Sequence, residues 1–420
     1  MWQFFPRPWL SAALRAVLYG FTILSILTIV GTPNGVIVVG GGIGGLALAI
    51  ALARTGRRVH VLERASAFGE IGAGLQLAPN ASRALDCLGV LERVRESAVT
   101  PQRMLWLDAR NAEPLTELDL GAPFRERYGY DYLVMHRSDL LAALLDAARA
   151  YTAITLETDA EVASVNGEDA AKVKYSDGRE RAASLVVGAD GLHSVVRRAI
   201  AGDAAPICAA YVAYRGAVPV DRLPADAVRQ DAVILWTGPE LHFVQYPVRR
   251  GRLYNQVAVF RSHRYDEAAV EWGTPDELDA HFSAMAPPLR EALSAIDRNR
   301  HWPMYDREPL ASWTRGRLTL MGDAAHPMLQ YLAQGACQAL EDAVALGDAL
   351  AAYDDLGSAL AAYETERIPR TARVQTLARA WGDYWHAAET RERDSFLRTR
   401  SHRDYRETDW FYAQQPAQPA

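Results

Sequence analysis

A run of closely spaced glycines separates two segments of different composition near the start of the chain. Four of them, Gly40, Gly42, Gly44 and Gly45, are predicted to bind a cofactor. Residues 36–39 before them are all β-branched and predict a buried strand, and the small residues after them predict a helix to about Arg54. Glycine lets a backbone turn sharply and approach a phosphate, and the first turn of a helix offers free N–H groups to that anion. The spacing therefore predicts binding of a dinucleotide pyrophosphate, in preference to an ordinary glycine-rich turn of an α/β domain.

An acidic residue follows at the distance that this interpretation requires. A second apolar run, residues 59–62, ends at Glu63 and is followed by Arg64. A carboxylate at the end of the second strand can accept hydrogen bonds from ribose hydroxyl groups. We therefore include Glu63 and Arg64 among the predicted cofactor-binding residues.

Asp190 occupies a second junction between an apolar run and a helix. Residues 185–188 predict a buried strand, and a helix start follows at about Ser194. The Asp190 carboxylate could hold a ribose or an arginine that binds the pyrophosphate. A plain turn with Ser194 as the helix cap remains the alternative.

A third junction lies at residues 320–343. Gly322 permits close approach of the backbone, and Asp323 can accept hydrogen bonds from a sugar alcohol such as ribitol. Pro327 then breaks the chain before a helix that begins at Gly335 and Ala336. The positive end of that helix would favour negative charge on a reduced flavin.

The remaining pattern predicts the elements that position these residues. We predict a helix over 136–150 with Ser138 as its N-cap, and another that Asn80 caps and that ends near Leu88. Residues 104–135 read as strands and turns, and 155–165 with 171–175 as a hairpin. Four short runs between residues 209 and 260 predict an antiparallel sheet beside the cofactor. Helices are predicted from about residue 336 to 400.

Composition and charge restrict the classes of partner. The chain has 420 residues, half of them hydrophobic, which is enough for one large or two fused globular domains. A net charge of −6, without a basic block interleaved with aromatic residues, argues against nucleic acid as a partner. Cys87, Cys208 and Cys337 are far apart and odd in number, which favours a reducing compartment over disulfides or a zinc site.

The N-terminal segment, residues 1–34, contains an apolar stretch over 9–30 that is interrupted only by Arg15. It is long enough to span a bilayer. The placement of Arg7 and Arg15 would, however, send the remainder of the chain out of the cytoplasm. We favour a mis-assigned start, with translation beginning near Val30; a membrane anchor and a secretory signal are the alternatives.

Taken together, the three junctions resemble the single-component FAD-dependent aromatic hydroxylases (group A flavoprotein monooxygenases) over residues 35–380. The family motifs match Gly40–Gly45, the GADG sequence at 188–191 and the GDAAHP sequence at 322–327. Within the family, the chain is most similar to 3-hydroxybenzoate 6-hydroxylases and, slightly less, to salicylate hydroxylases. The resemblance implies that Arg137 contacts FAD and that Glu63 contacts the adenosine ribose.

The resemblance implies an α/β fold, with a Rossmann-like FAD-binding domain, an inserted antiparallel-sheet substrate domain and a helical C-terminal region. The expected segments are the extension 1–34, FAD-binding parts 35–103, 136–204 and 301–355, substrate parts 104–135 and 205–300, and the C-terminal region with its tail, 356–420.

The implied reaction begins with reduction of FAD by NADH or NADPH. Dioxygen then forms a flavin C4a-hydroperoxide, which hydroxylates a small aromatic acid such as 3-hydroxybenzoate or salicylate. Phenolate reacts better than phenol, so the site needs a group that relays the hydroxyl proton and a dry pocket. Gln330 is a candidate for orienting the phenol, and Tyr214, Tyr246 and His242 are candidate relays, although side chains of these types on strands are more often packing residues.

One departure from the family leaves the substrate open. The resemblance places a pocket histidine shortly before the YRG strand, where this sequence has Cys208, Ala209 and Ala210. No metal is expected. The alternatives are an epoxidase or reductase of an isoprenoid-like lipid, and a non-catalytic FAD-binding membrane protein. We expect a cytoplasmic enzyme, with a homodimer and membrane contact through residues 9–30 left open.

Overall fold

A computed structural model of the chain describes residues 35–69, 72–168, 170–266, 271–388 and 390–413. The N-terminal apolar stretch and the predictions made for it lie outside these residues. Within the described ranges, no helix combines the length and hydropathy needed to cross a bilayer.

The strands, in chain order, are β1 (Val36–Val39), β2 (Val59–Leu62), β3 (Gly74–Leu77), β4 (Arg103–Asp108), β5 (Pro114–Asp119), β6 (Leu133–His136), β7 (Ile154–Glu157), β8 (Val162–Asn166), β9 (Ala171–Tyr175), β10 (Glu180–Ala183), β11 (Leu185–Gly188), β12 (Ile207–Pro219), β13 (Ala232–Gly238), β14 (Leu241–Val248), β15 (Leu253–Arg261), β16 (His301–Asp306) and β17 (Leu318–Leu320).

The α-helices are α1 (Ile43–Arg54), α2 (Pro79–Cys87), α3 (Leu91–Arg95), α4 (Ala122–Tyr128), α5 (Arg137–Arg149), α6 (Val195–Ala201), α7 (Pro275–Phe282), α8 (Pro287–Leu293), α9 (Gly335–Ala352), α10 (Leu356–His386), α11 (Arg391–Thr399) and α12 (Arg406–Tyr412). Short 3₁₀ turns occur at Val220–Arg222, Ala225–Ala227, Gly322–Ala324 and Gln330–Leu332.

A five-stranded parallel sheet forms the cofactor half, in the order β17-β11-β1-β2-β7. Every residue of β1, β2, β11 and β17 is buried, as expected for parallel strands that are covered on both faces. Because the three predicted junctions follow β1, β11 and β17, they all lie at the carboxyl end of this sheet, where open α/β sheets bind ligands.

A seven-stranded sheet faces the cofactor half, in the order β16-β12-β15-β14-β13-β4-β5. Strands β12 to β15 include antiparallel pairs, as the sequence predicts, but β4 joins β13 in parallel, so the sheet is mixed. Strand β16 also belongs to this sheet, although the sequence places residues 301–306 in the cofactor domain.

The two faces of the seven-stranded sheet have different environments because side chains alternate along each strand. One face packs against α7 and α8 in a hydrophobic cluster that contains Tyr214, Phe243 and Phe260. The opposite face points toward the parallel sheet. That second face carries the polar residues described below.

Two predicted helix starts are wrong by one or two residues. Helix α5 begins at Arg137 and its N-cap is His136, whose side chain accepts from the Ser138 N–H, so Ser138 lies inside the first turn. Helix α2 begins at Pro79 after Ala78, because proline fits the first helical turn, and Asn80 is then free for a tertiary contact. Helices α4, α7 and α8 and strand β10 were not predicted.

Helices α1 and α9 approach closely through small residues. A Cβ atom at Gly347 would lie 2.9 Å from the Ala51 Cβ, which is closer than carbon atoms normally pack. Gly347→Val should therefore separate the helices and destabilise the fold by about 1–3 kcal/mol. We expect a lower melting temperature at a fixed FAD concentration. Ala351→Val, at an exposed position of α9, is the matched control, and equal melting temperatures for the two variants would contradict this packing.

Candidate functional site

A cavity of about 740 Å³ lies between the parallel sheet and the seven-stranded sheet. Most of the predicted cofactor-binding residues line it: Gly40, Gly42, Gly44, Glu63, Arg64, Arg137, Asp190, Gly322, Asp323, Gly335 and Ala336. Gly45 does not line the cavity. A Cβ atom there would lie 2.0 Å from the Gly40 carbonyl oxygen, so Gly45 is needed for the tight turn itself.

The first glycine turn forms a cradle that larger residues would fill. Gly40 has φ +107°, and a Cβ atom there would lie 2.4 Å from the Ala189 carbonyl oxygen. Gly42 is the N-cap of α1 and has no side chain to occupy the N–H groups of the first turn. The cradle therefore keeps these donors available to a phosphate.

The Glu63 carboxylate ties the end of β2 to this turn. It accepts hydrogen bonds from the N–H groups of Gly41 at 3.0 Å and of Ala65 at 2.9 Å. Its contact with an adenosine ribose stays a prediction. The two backbone bonds fix the carboxylate at the cavity wall, where such a contact could form.

Asp190 has one carboxylate oxygen in use and one without a partner among the described residues. Oδ2 accepts from the Val195 N–H at 2.8 Å at the start of α6, whereas Oδ1 is buried and unpaired. Burial raises the pKa of Asp190 in spite of the hydrogen bonds from Ser194 and Val195. A buried acceptor at the cavity wall fits a hydroxyl or N–H donor of a bound dinucleotide.

The loop from Gly322 to Gly335 is held by Asp342, a fully buried residue of α9. One Asp342 oxygen accepts from the Gly322 N–H at 2.9 Å and lies 2.5 Å from His326 Nε2, and the other accepts from Arg367 Nε at 2.7 Å. Burial alone would raise the pKa of Asp342, but His326 and Arg367 together lower it to about 2. His326 therefore shapes the loop and does not face the cavity as a base.

Gln334 connects this loop to α2. Its Oε1 accepts from Asn80 and Gln338, both at 2.9 Å, while its buried Nε2 has no partner among the described residues. Gln334 lines the cavity one residue before α9. This amide therefore offers a fixed donor beside the helix end that the sequence assigns to the flavin.

The cavity face of the seven-stranded sheet carries Arg215, His242 and Tyr246. Arg215 Nη2 donates to Gln330 Oε1 at 2.6 Å, which links the sheet to the loop of the cofactor half. Tyr246 is buried, and burial raises the pKa of its phenol group, so the hydroxyl stays protonated at neutral pH. Gln330, His242 and Tyr246 are thus brought together around one space.

Tyr214 lies on the opposite face and is not brought to the cavity. Its hydroxyl donates to the Gly273 carbonyl at 2.7 Å, and its ring packs against Phe260. The alternation of the strand explains this placement, because Tyr214 and Arg215 are adjacent and point to opposite faces. We therefore leave Tyr214 out of the candidate site and correct its prediction as a relay.

Arg215, which lines the cavity, and His386, which contacts His242, were not predicted from the sequence. Arg215 could have been found, since alternation places it on the face opposite Tyr214 and that face borders the cofactor half. His386 ends α10, far along the chain, and reaches His242 only in the folded structure. Trp106, Trp381 and Trp385 add apolar surface to the same cavity.

Comparison with known proteins agrees with the family resemblance that the sequence motifs indicate. A family model described as an FAD binding domain matches residues 34–378. The chain is 42% identical over 381 residues to a 3-hydroxybenzoate 6-hydroxylase from Klebsiella oxytoca, covering 90% of this chain and 96% of the relative. It is 39% identical over 354 residues to the 3-amino-4-hydroxybenzoate 2-monooxygenase PtnB3 from Streptomyces platensis, covering 83% and 88%.

Solved structures share the fold. Klebsiella pneumoniae HpxO complexed with FAD and uric acid is 28% identical, with a TM-score of 0.79 over 90% of this chain and 95% of that one. A salicylate hydroxylase substrate complex is 23% identical, with a TM-score of 0.72 over 92% and 100%, which supports the fold alone. The glycine cradle, the unpaired Asp190 oxygen and these matches agree, and the chain belongs to the FAD-dependent aromatic hydroxylases.

Proposed function

We propose that this protein uses NADH or NADPH and dioxygen to hydroxylate a small aromatic acid that carries a phenolic hydroxyl group. The proposal rests on Arg215, whose buried positive charge has no acidic partner among the described residues. Its guanidinium group is buried, it forms no ion pair with the described residues, and its Nε has no hydrogen-bond partner there. A substrate carboxylate would supply the missing partner.

The charge of Arg215 is costly without such a partner. The pKa of Arg215 is lowered to about 10, mainly because the group is buried and to a smaller extent because of the nearby positive charge of Arg137. An uncompensated buried ion typically costs several kcal/mol, and a planar guanidinium pairs best with a planar carboxylate through two hydrogen bonds. The cavity thus favours an anionic ring over a neutral isoprenoid-like lipid.

The names of the relatives support the same substrate class. The relatives described above are named for hydroxylation of 3-hydroxybenzoate and of 3-amino-4-hydroxybenzoate. Both named substrates combine a benzoate carboxylate with a ring hydroxyl. We propose 3-hydroxybenzoate and salicylate as the first substrates to test, and a cytoplasmic location, where reduced nicotinamides are available.

The residues of the cavity then have distinct tasks. Bound FAD supplies electron transfer from the nicotinamide and the activation of dioxygen. Arg215 binds the substrate carboxylate, and Gln330, fixed by Arg215, orients the ring. The indole rings of Trp106, Trp381 and Trp385 exclude water, which protects the activated oxygen from loss as hydrogen peroxide.

The direct test is substrate-stimulated oxidation of NADH or NADPH by the FAD-loaded chain. We expect hydroxylated product from 3-hydroxybenzoate or salicylate and little from the matching benzamides, which have no carboxylate. Oxygen uptake, NAD(P)H oxidation and product should be measured together. Equal turnover of the acids and the amides, or turnover of lipids alone, would contradict the proposal.

Replacing Arg215 should weaken substrate binding without destabilising the fold. For Arg215→Met we expect KM for the aromatic acid to rise about 100-fold, because a buried charge pair is lost. FAD content should be unchanged, and the melting temperature unchanged or higher, since the variant removes an uncompensated buried charge. Arg261→Gln, a half-exposed arginine on β15, is the matched control and should retain the wild-type KM. A wild-type KM for Arg215→Met would exclude this residue as the anchor.

Gln330→Leu tests the orientation of the ring. The variant keeps the volume but removes the acceptor of the bond from Arg215, so the substrate should still bind while product formed per NAD(P)H oxidised falls severalfold. Hydrogen peroxide should account for the difference. Unchanged coupling would assign Gln330 to packing alone.

A further inference from the structure

A second pocket, on the surface of the C-terminal region, adjoins the cavity between the two sheets. Its volume is about 590 Å³, which is within the range of small-molecule sites. The described residues that line it include one acid, Asp404, and four arginines, Arg127, Arg400, Arg403 and Arg406. We call this pocket the vestibule. Its lining therefore has an excess of positive charge.

Arg400 lies between the vestibule and the cavity. Arg400, Ser401 and Asp404 line both spaces, so they form the wall between them. Only 14% of the Arg400 side chain is exposed, and its Nη1 lies 3.2 Å from a carboxylate oxygen of Glu407. Its Nη2 donates to the Asp404 carbonyl at 3.1 Å. Because Glu407 also lines the cavity, the ion pair of Arg400 and Glu407 crosses the boundary between the two spaces.

This ion pair can open at a small energetic cost. The Glu407 side chain is 45% exposed, and ion pairs with such access to solvent typically contribute about 0–1 kcal/mol. A third pocket of about 430 Å³, which Arg400 and Glu407 also line, offers space into which either side chain can turn. Rotation of two side chains is therefore enough to connect the vestibule with the cavity.

The backbone of α12, which carries Glu407, is held in place on the opposite side. Arg127 Nε donates to the Asp409 carboxylate at 2.7 Å. Arg370 donates to the carbonyls of Trp410 and Phe411 at 3.0 and 2.9 Å. Since α12 is anchored in this way, passage past Glu407 depends on side chains and not on displacement of the helix.

The vestibule arginines are paired with acids that an incoming anion can replace. These pairs join Arg127 to Asp409, Arg400 to Glu407, Arg403 to Asp119 and Arg406 to Asp404. Each pair includes at least one side chain that is well exposed, so exchange of one carboxylate for another has little net cost. A guanidinium group can bind an incoming carboxylate through two hydrogen bonds, and a positively lined pocket speeds the arrival of anions.

We propose that the vestibule captures the aromatic acid by its carboxylate, and that the ion pair of Arg400 and Glu407 is the gate through which the acid enters the cavity. This inference rests on the proposed function. The incoming carboxylate takes the place of Glu407 on Arg400, and inside the cavity Arg215 binds it. The vestibule is thus a transient site for an anionic ring, separate from the position at which the ring is hydroxylated.

The gate is tested by the rates of binding. Rapid mixing of the oxidised, FAD-loaded chain with 3-hydroxybenzoate, followed by flavin absorbance, gives the association and dissociation rate constants. Glu407→Gln removes the charge that holds Arg400, so we expect both rate constants to rise severalfold. The Kd should be unchanged, because Glu407 does not contact the acid once it is inside. A purely structural role would instead change Kd or FAD content and leave the rate constants uncoupled.

The capture of the acid is tested by ionic strength. Arg400→Gln removes the charge that leads the carboxylate inward, so at low ionic strength the association rate constant should fall about tenfold. In 1 M salt, where the Debye length is about 3 Å, the difference from wild type should disappear. A deficit that persists in 1 M salt would contradict electrostatic capture.

Arg398→Gln is the matched control. Arg398 lies on the same helix, α11, is half-exposed and pairs with Glu113 at 2.7 Å, but it lines none of the three pockets described above. Its rate constants should equal those of wild type at every salt concentration. Flavin reduction by NADH at saturating 3-hydroxybenzoate should also be unchanged in Arg400→Gln. Slower reduction with normal binding of the acid would assign the vestibule to the nicotinamide phosphates and overturn the inference.

Two outcomes separate this inference from the proposed function. Wild-type rate constants for 3-hydroxybenzoate in both Glu407→Gln and Arg400→Gln would overturn the gate and leave the substrate class intact. Failure of the wild-type chain to bind any aromatic acid would instead refute the proposed substrate class, and the inference with it.

Discussion

One buried carboxylate, that of Asp342, holds the loop on which both halves of the site depend. It engages the Gly322 backbone, His326 and Arg367 at once, so the loop after β17 has little freedom. The same loop places Asp323, the start of α9 and Gln330 at the wall of the cavity. A buried carboxylate is stable only when its charge is compensated, and here His326 and Arg367 both bond to it.

Arg215 is the contrasting case, a buried charge that the described residues leave without an ion-pair partner. The protein compensates the Asp342 carboxylate with Arg367, whereas among the described residues Arg215 contacts the neutral amide oxygen of Gln330 and the ring of Trp302 but no carboxylate. A folded chain tolerates this cost at a functional position because a ligand can repay it. The compensated charge of Asp342 holds the loop in place, whereas the charge of Arg215 remains available to an acidic ligand.

The cofactor half could be predicted from the sequence because its signals are local. Strand, glycine turn and helix follow one another within about twenty residues, and Gly40 occupies the positive-φ conformation that its position in the turn implies. Asp190 and Asp323 could likewise be placed, since each follows a buried strand of the same sheet.

The substrate half could be predicted only in outline. Four strands were recognised, but the face on which a side chain lies depends on register and on which side the cofactor half packs, so Tyr214 was placed wrongly and Arg215 was overlooked. The contact between His242 and His386 spans 144 residues and leaves no pattern in the sequence. The N-caps of two helices were predicted two residues too late. The His136 side chain accepts from the Ser138 N–H, and Pro79 fits the first helical turn, so neither Ser138 nor Asn80 is the N-cap.

The most direct test of the central claim is a crystal structure of the chain with FAD and 3-hydroxybenzoate bound. The account predicts the benzoate carboxylate within hydrogen-bond distance of the Arg215 guanidinium, inside the cavity between the two sheets. A carboxylate bound elsewhere, with Arg215 still lacking an anionic partner, would contradict it.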